Sequence, residues 1–104
     1  MQSISLGECM VTDIGVEALL SSCPNITRLN LADTGITDAT LAQIPLLCPK
    51  IFSLDLSRCW EISYTALSKL VGSMKKLLRL SITSCKKISK HNRQALQNMY
   101  PGNF

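Results

Sequence analysis

The chain has 104 residues, 46% of them apolar and only 5% aromatic, so a single domain with an aliphatic core of Leu and Ile is expected. No apolar run reaches the roughly 18 residues that span a bilayer, and the opening residues lack the basic start and apolar stretch of a secretory signal. The net charge of +4 hides a division: residues 1–61 hold all seven acids and three bases, whereas 62–104 hold eight bases and no acid.

In chain order, the first element is a short strand from Ser3 to Leu6, with Ile4 and Leu6 on one side. Alternation of this kind sends one set of side chains inward and the other outward. A polar step, Thr12-Asp13, then leads into a helix whose apolar face is Val16 and Leu19; Ser, Thr and Asp at such steps cap helix N-termini. Cys23-Pro24 opens a fuller copy of the same pattern: Ile26, Leu29 and Leu31 on a strand, Thr37-Asp38 at the step, Leu41 and Ile44 on the helix. Pro45 predicts that this second helix is short or kinked, because proline removes a backbone hydrogen bond and clashes with the preceding turn.

Cys48-Pro49 repeats the opening of Cys23-Pro24, with Ile51, Leu54 and Leu56, then Ser63, then Leu67 and Leu70. Met74 begins another copy, at a spacing from Cys48 longer by a single position than that from Cys23 to Cys48, and carries Leu77, Leu80 and Ile82. In this last copy Arg93 occupies the slot of Leu41 and Leu67, and Lys90 the place of Asp38, as expected of a terminal unit with no successor to cover. The tail from Tyr100 to Phe104 reads as a helix stop through Pro101. The chain thus divides into a partial unit 1–22 and units 23–47, 48–73 and 74–99, about 3.5 repeats within one domain, 1–104.

One strand and one helix in each such unit cannot close a core alone, but stacked units can. The expected fold class is therefore α/β: a solenoid with a short parallel sheet on the concave side and helices on the convex side. The shared string, Cys-Pro-x-Ile-x-x-Leu-x-Leu followed by Cys or Thr and then Ile-Ser/Thr, resembles the cysteine-containing leucine-rich repeat. That repeat is best known from the substrate-receptor arms of F-box ubiquitin ligases. The resemblance implies a protein-interaction module and a role in substrate recognition; these residues contain no F-box. The first strand would leave an open sheet edge, so either the chain continues a longer solenoid or another segment or chain covers that edge.

The outward strand positions form the expected binding wall. They are Ser3, Ser5, Gly7 and Glu8; Arg28, Asn30, Ala32 and Asp33; Ser53, Asp55, Ser57 and Arg58; and Arg79, Ser81, Thr83 and Ser84. Within it Arg28, Asn30, Asp33, Asp55, Arg58 and Arg79 are the candidate contacts, since Arg is enriched at interface hot spots. The opposing reading is that neighbours such as Asp33 and Arg58 pair with each other. Trp60 is either an anchor beside the wall or packing over a neighbouring loop, with packing favoured.

A second candidate is a basic patch of Lys75, Lys76, Lys86, Lys87, Lys90 and Arg93, all from one repeat and expected to lie close together. Such a patch attracts acidic protein, nucleic acid or anionic lipid; the scarcity of aromatics argues against RNA. Set against these is an unpaired, solvated terminal cap.

The five cysteines, Cys9, Cys23, Cys48, Cys59 and Cys85, read as buried space-filling thiols. A Cys59–Cys85 disulfide across adjacent strands is the disfavoured alternative. No short-spaced metal motif occurs, and His91 has no acid nearby in sequence to orient it. No catalytic residue, metal or cofactor is expected, and a reducing compartment, cytosol or nucleus, suits the odd cysteine count.

Overall fold

The computed structural model describes residues 3–7 and 11–99. Eight elements alternate along the chain: β1 (Ser3–Ser5), α1 (Asp13–Ser21), β2 (Arg28–Asn30), α2 (Asp38–Leu47), β3 (Ser53–Asp55), α3 (Tyr64–Ser73), β4 (Arg79–Ser81) and α4 (Lys90–Met99). The four strands form one parallel sheet in the order β1-β2-β3-β4. Ser3 is in register with Arg28, Arg28 with Ser53, and Ser53 with Arg79, so the register follows the sequence repeat. The single-residue excess of the longer repeat lies in the strand-to-helix loop. Two residues separate Cys59 from Ile62, where one separates Thr34 from Ile36.

The core consists of ladders of equivalent residues. Ile26, Ile51 and Leu77 form one rung set, Leu29, Leu54 and Leu80 the next, then Leu31, Leu56 and Ile82, and finally Ile36, Ile62 and Ile88, all buried. Helices close the other side with Leu41, Ile44, Leu67, Leu70 and Leu96. In α1 the inward face differs from the expected one. Val16 and Leu20 are buried, whereas Leu19, in the slot of Ile44 and Leu70, is half-buried.

Helix α2 is not shortened by Pro45: it has 10 residues, as many as α3 and α4. Pro45 sits in its last turn, so its missing N–H removes one bond near an end that frays in any case. The terminus is held instead by the Cys48 amide, which donates to the Ile44 carbonyl at 2.9 Å.

The three residues following the ends of β2, β3 and β4 at the same place, Asp33, Arg58 and Ser84, have φ of 58°, 59° and 60°. This left-handed turn swings the chain from the sheet toward the helices. Asp tolerates that conformation better than Arg or Ser.

Glu8, Cys9 and the tail from Tyr100 to Phe104, for which contacts or a helix stop were expected, lie outside the described residues.

Candidate functional site: the strand wall and the C-terminal basic end

The helix caps explain how the units are held in line. Thr12, Thr37 and Ser63 each accept a backbone N–H from the first turn of their own helix. The first helical residue then reaches to the next unit. Asp13 accepts from the Thr37 amide at 2.8 Å, the Thr37 hydroxyl at 2.7 Å and the buried Thr40 hydroxyl at 2.5 Å. Burial pushes the Asp13 carboxyl up, but the bonds from Thr40 and Thr37 together outweigh it and hold it below the usual carboxylate range. Asp38 repeats the contact on Ser63, at 2.8 Å to the amide and 2.7 Å to the hydroxyl. Tyr64 takes the same slot in α3 and makes no such bond to Ser89. In keeping with this, α1 packs on α2 and α2 on α3, whereas α3 and α4 have few close approaches.

The cysteines serve the same stacking. The Cys59 thiol donates to the Leu31 carbonyl of the previous unit at 3.1 Å, and the Cys85 thiol to the Leu56 carbonyl at 3.1 Å. Cys48 donates to the Cys23 carbonyl at 3.3 Å. Thr34, in the slot of Cys59, donates to the same Leu31 carbonyl at 2.7 Å. Burial raises the pKa of Cys48, Cys59 and Cys85, so the donors stay protonated and poorly nucleophilic. Cys23, Cys48, Cys59 and Cys85 are all free.

The outward wall carries Arg28 and Asn30 on β2, Ser53 and Asp55 on β3, and Arg79 and Ser81 on β4, all exposed or half-buried. Asn30 and Asp55 each turn one side-chain oxygen back to the amide two residues on, at 2.9 Å. Part of each side chain is therefore committed to shaping the strand end. Ala32 and Ser57, expected to face outward, are buried at 7% and 9% exposure. Ser57 there accepts the Thr83 amide at 3.3 Å. Asp33 and Arg58 do approach each other, but at 3.9 Å and with both side chains about half exposed, which is worth only ~0–1 kcal/mol.

Trp60 packs over a neighbouring loop while staying partly open to solvent. Its ring lies against Gly35, where an added Cβ would come within 3.4 Å of Cζ2, and the side chain remains 41% exposed.

The structure divides the basic residues rather than gathering them. Lys75 and Lys76 lie in the return before β4, whereas Lys86, Lys87 and Lys90 follow it, at the opposite end of the strand. Arg93 leaves the patch: it is half-buried, and its guanidinium folds back to donate to the Ile82 carbonyl at 2.9 Å. An Arg in a leucine slot can do this because its stem packs on apolar surface while its head finds an acceptor. Lys87 faces Glu61 of the preceding unit at 4.0 Å. The acid-free stretch is thus partly countered by an acid from upstream.

Between α2 and α3 lies an outer groove of about 400 Å³, lined chiefly by Ala42, Pro45, Ala66 and Lys69, with Asp38 at one end. The Asp38 carboxylate is already held by Ser63, so the groove presents no free acid–base pair. No three His, Cys, Asp or Glu side chains come together as a metal site among the described residues. His91 is exposed on α4, and no described helix is long and apolar enough to cross a membrane.

Residues 22–41, from the turn before β2 into the first turn of α2, match the family model described as Leucine Rich repeat. That match covers β2, the loop after it and the start of α2, and the register from Ser3 through Arg28 and Ser53 to Arg79 repeats the same arrangement along the sheet. The chain has the fold of an α/β leucine-rich-repeat solenoid.

Proposed function

We propose that this protein is a non-catalytic interaction module that holds a protein partner against the outward face of its four strands. The observation that carries this reading is the division of labour across the sheet. Every leucine of the strands is consumed by the core, while the opposite face presents Arg28, Ser53 and Arg79 in register. Neither arginine has a carboxylate within ion-pairing distance among the described residues. The finer reading is the substrate-recognition arm of an F-box-type ubiquitin ligase, supported by the resemblance of the cysteine-containing repeats to those receptors. The test is capture of the partner across a salt series. Retention at moderate salt, with loss on Arg28→Ala or Arg58→Glu, supports wall recognition.

A second reading makes the protein an assembly subunit that docks through its basic end. It is favoured by Lys90 standing where Asp38 stands in α2 and by the exposure of Lys86. Loss of the partner at moderate salt or on Lys86→Glu/Lys87→Glu, with no effect of wall changes, would favour it over the first. The same double variant in a gel shift tests backbone contact with RNA, the third and least favoured reading.

A further inference from the structure

The wall is not uniform from row to row. Arg28, Ser53 and Arg79 form one row across β2, β3 and β4. The Arg28 guanidinium lies over the Phe52 ring, 5.3 Å from its centroid, so an aromatic face of the next unit supports its head. Arg79 stands on the other side of Ser53 and is exposed. Arg58 and Lys87 have acidic neighbours, but these two guanidinium groups have none among the described residues. They are anchored on strands two spacings apart, about 9.6 Å. The next row holds Asn30, Asp55 and Ser81, so apart from Arg58 beside Asp33 the positive charge of the wall lies in a single line. A uniformly anionic strand laid over the wall would meet Asp55. A segment with acids along one side only would not.

We propose that the row Arg28–Ser53–Arg79 binds an extended acidic segment of a protein partner, laid across the strands with carboxylates three residues apart. In the polyproline II conformation residues i and i+3 share one side and stand about 9.3 Å apart, which matches the spacing of the two strands that carry the arginines. Each guanidinium then takes one carboxylate through a bidentate fork, and the Ser53 hydroxyl between them donates to a peptide carbonyl. Phe52 and Leu78, the latter 64% exposed, flank the row and offer apolar contact to intervening prolines. The proposal rests on the wall being the interaction face.

The test is a titration of the ¹⁵N-labelled full chain, followed by amide shifts, at about 0.01 M ionic strength, where the Debye length is about 30 Å. The probes are acetyl-Pro-Glu-Pro-Pro-Glu-Pro-amide, its isomer acetyl-Pro-Glu-Glu-Pro-Pro-Pro-amide, and acetyl-Pro-phosphoSer-Pro-Pro-Pro-Pro-amide. The spaced peptide is expected to shift the amides of Arg28, Ser53 and Arg79 and to bind about threefold tighter than its isomer, one exposed ion pair's worth. Arg28→Ala and Arg79→Ala should each abolish that preference, while Lys86→Glu/Lys87→Glu keeps it. Equal affinity for the two isomers, shifts centred on Lys86 and Lys87, or binding of the phosphoserine peptide alone would overturn the assignment. Wall shifts indifferent to Arg28 and Arg79 sink this proposal only. The absence of wall shifts with every peptide sinks the wall reading as well.

Discussion

Replacing Asp13 by Ala should destabilise the protein far more than its position on a half-exposed helix start would suggest. Its carboxylate accepts three hydrogen bonds from the next unit, and bonds to a charged acceptor contribute about 1.5–3 kcal/mol each. The Thr37 groups are half-buried and can turn to water, which discounts two of the three. Thr40 is 0% exposed, so its orphaned hydroxyl costs a further ~1–3 kcal/mol. The sum is a loss of about 3 kcal/mol. Urea unfolding monitored by circular dichroism measures it, as a lower midpoint at unchanged slope. Thr40→Val removes the orphan, so the Asp13→Ala/Thr40→Val double variant should recover about 1–2 kcal/mol relative to additivity. A single-variant loss below about 0.5 kcal/mol, the usual range of surface changes, would refute this account, as would an additive double variant.

The pH dependence follows from the same groups. Because Asp13 is held below its ordinary value of 3.8 when folded, its contribution is intact above that value and is lost as pH falls through the lower folded one. The gap between wild type and Asp13→Ala should therefore close in acid. The thiols behave oppositely: Cys48, Cys59 and Cys85 are raised from 9.0, so their contribution is whole below 9.0 and fades as pH rises above it. Alkylation mapped by mass spectrometry should label half-buried Cys23 well before these three; fast labelling of Cys59 in native protein would contradict the buried donor role. Ser84→Gly should stabilise by about 0.5–1 kcal/mol by relieving φ of 60°, read as a higher urea midpoint; no gain or a loss would show that the turn carries no strain. In hydrogen exchange, α4 amides should open at lower free energy than those of α2, since no Asp ties α4 to α3; equal protection would contradict that cause.

The stacking was legible because it repeats. Each copy places the same apolar residues at the same offsets, so the strand register from Ser3 to Arg79 follows from counting. What escaped were contacts that single positions make out of pattern. The bonds of Asp13 and Asp38 to the next unit are written in the recurrence of Thr12-Asp13 as Thr37-Asp38, one repeat later. A polar residue at a helix start, however, reads first as a cap for its own helix. Arg93 was legible as a departure from leucine, but not its turn back to the Ile82 carbonyl, which depends on an acceptor left open at the end of the stack. Pro45 did not shorten its helix, because its penalty depends on distance from the helix end rather than on presence alone. The basic residues misled because neighbours within one repeat can lie at opposite ends of its strand. For the wall, alternation found Arg28, Ser53 and Arg79. The Phe52 ring that positions Arg28 gave no signal, since it occupies a place that Thr27 and Leu78 fill in the adjacent units.

The claim that the strand face is the binding face is tested most directly by site-specific photocrosslinking. A benzophenone side chain is placed at Ser53 or Ser81 on the wall, and in parallel at Ala42 or Lys69 on the outer helices. The account predicts adducts with the partner from the two wall positions and none from the helices. Adducts from Ala42 or Lys69 with a silent wall would contradict it.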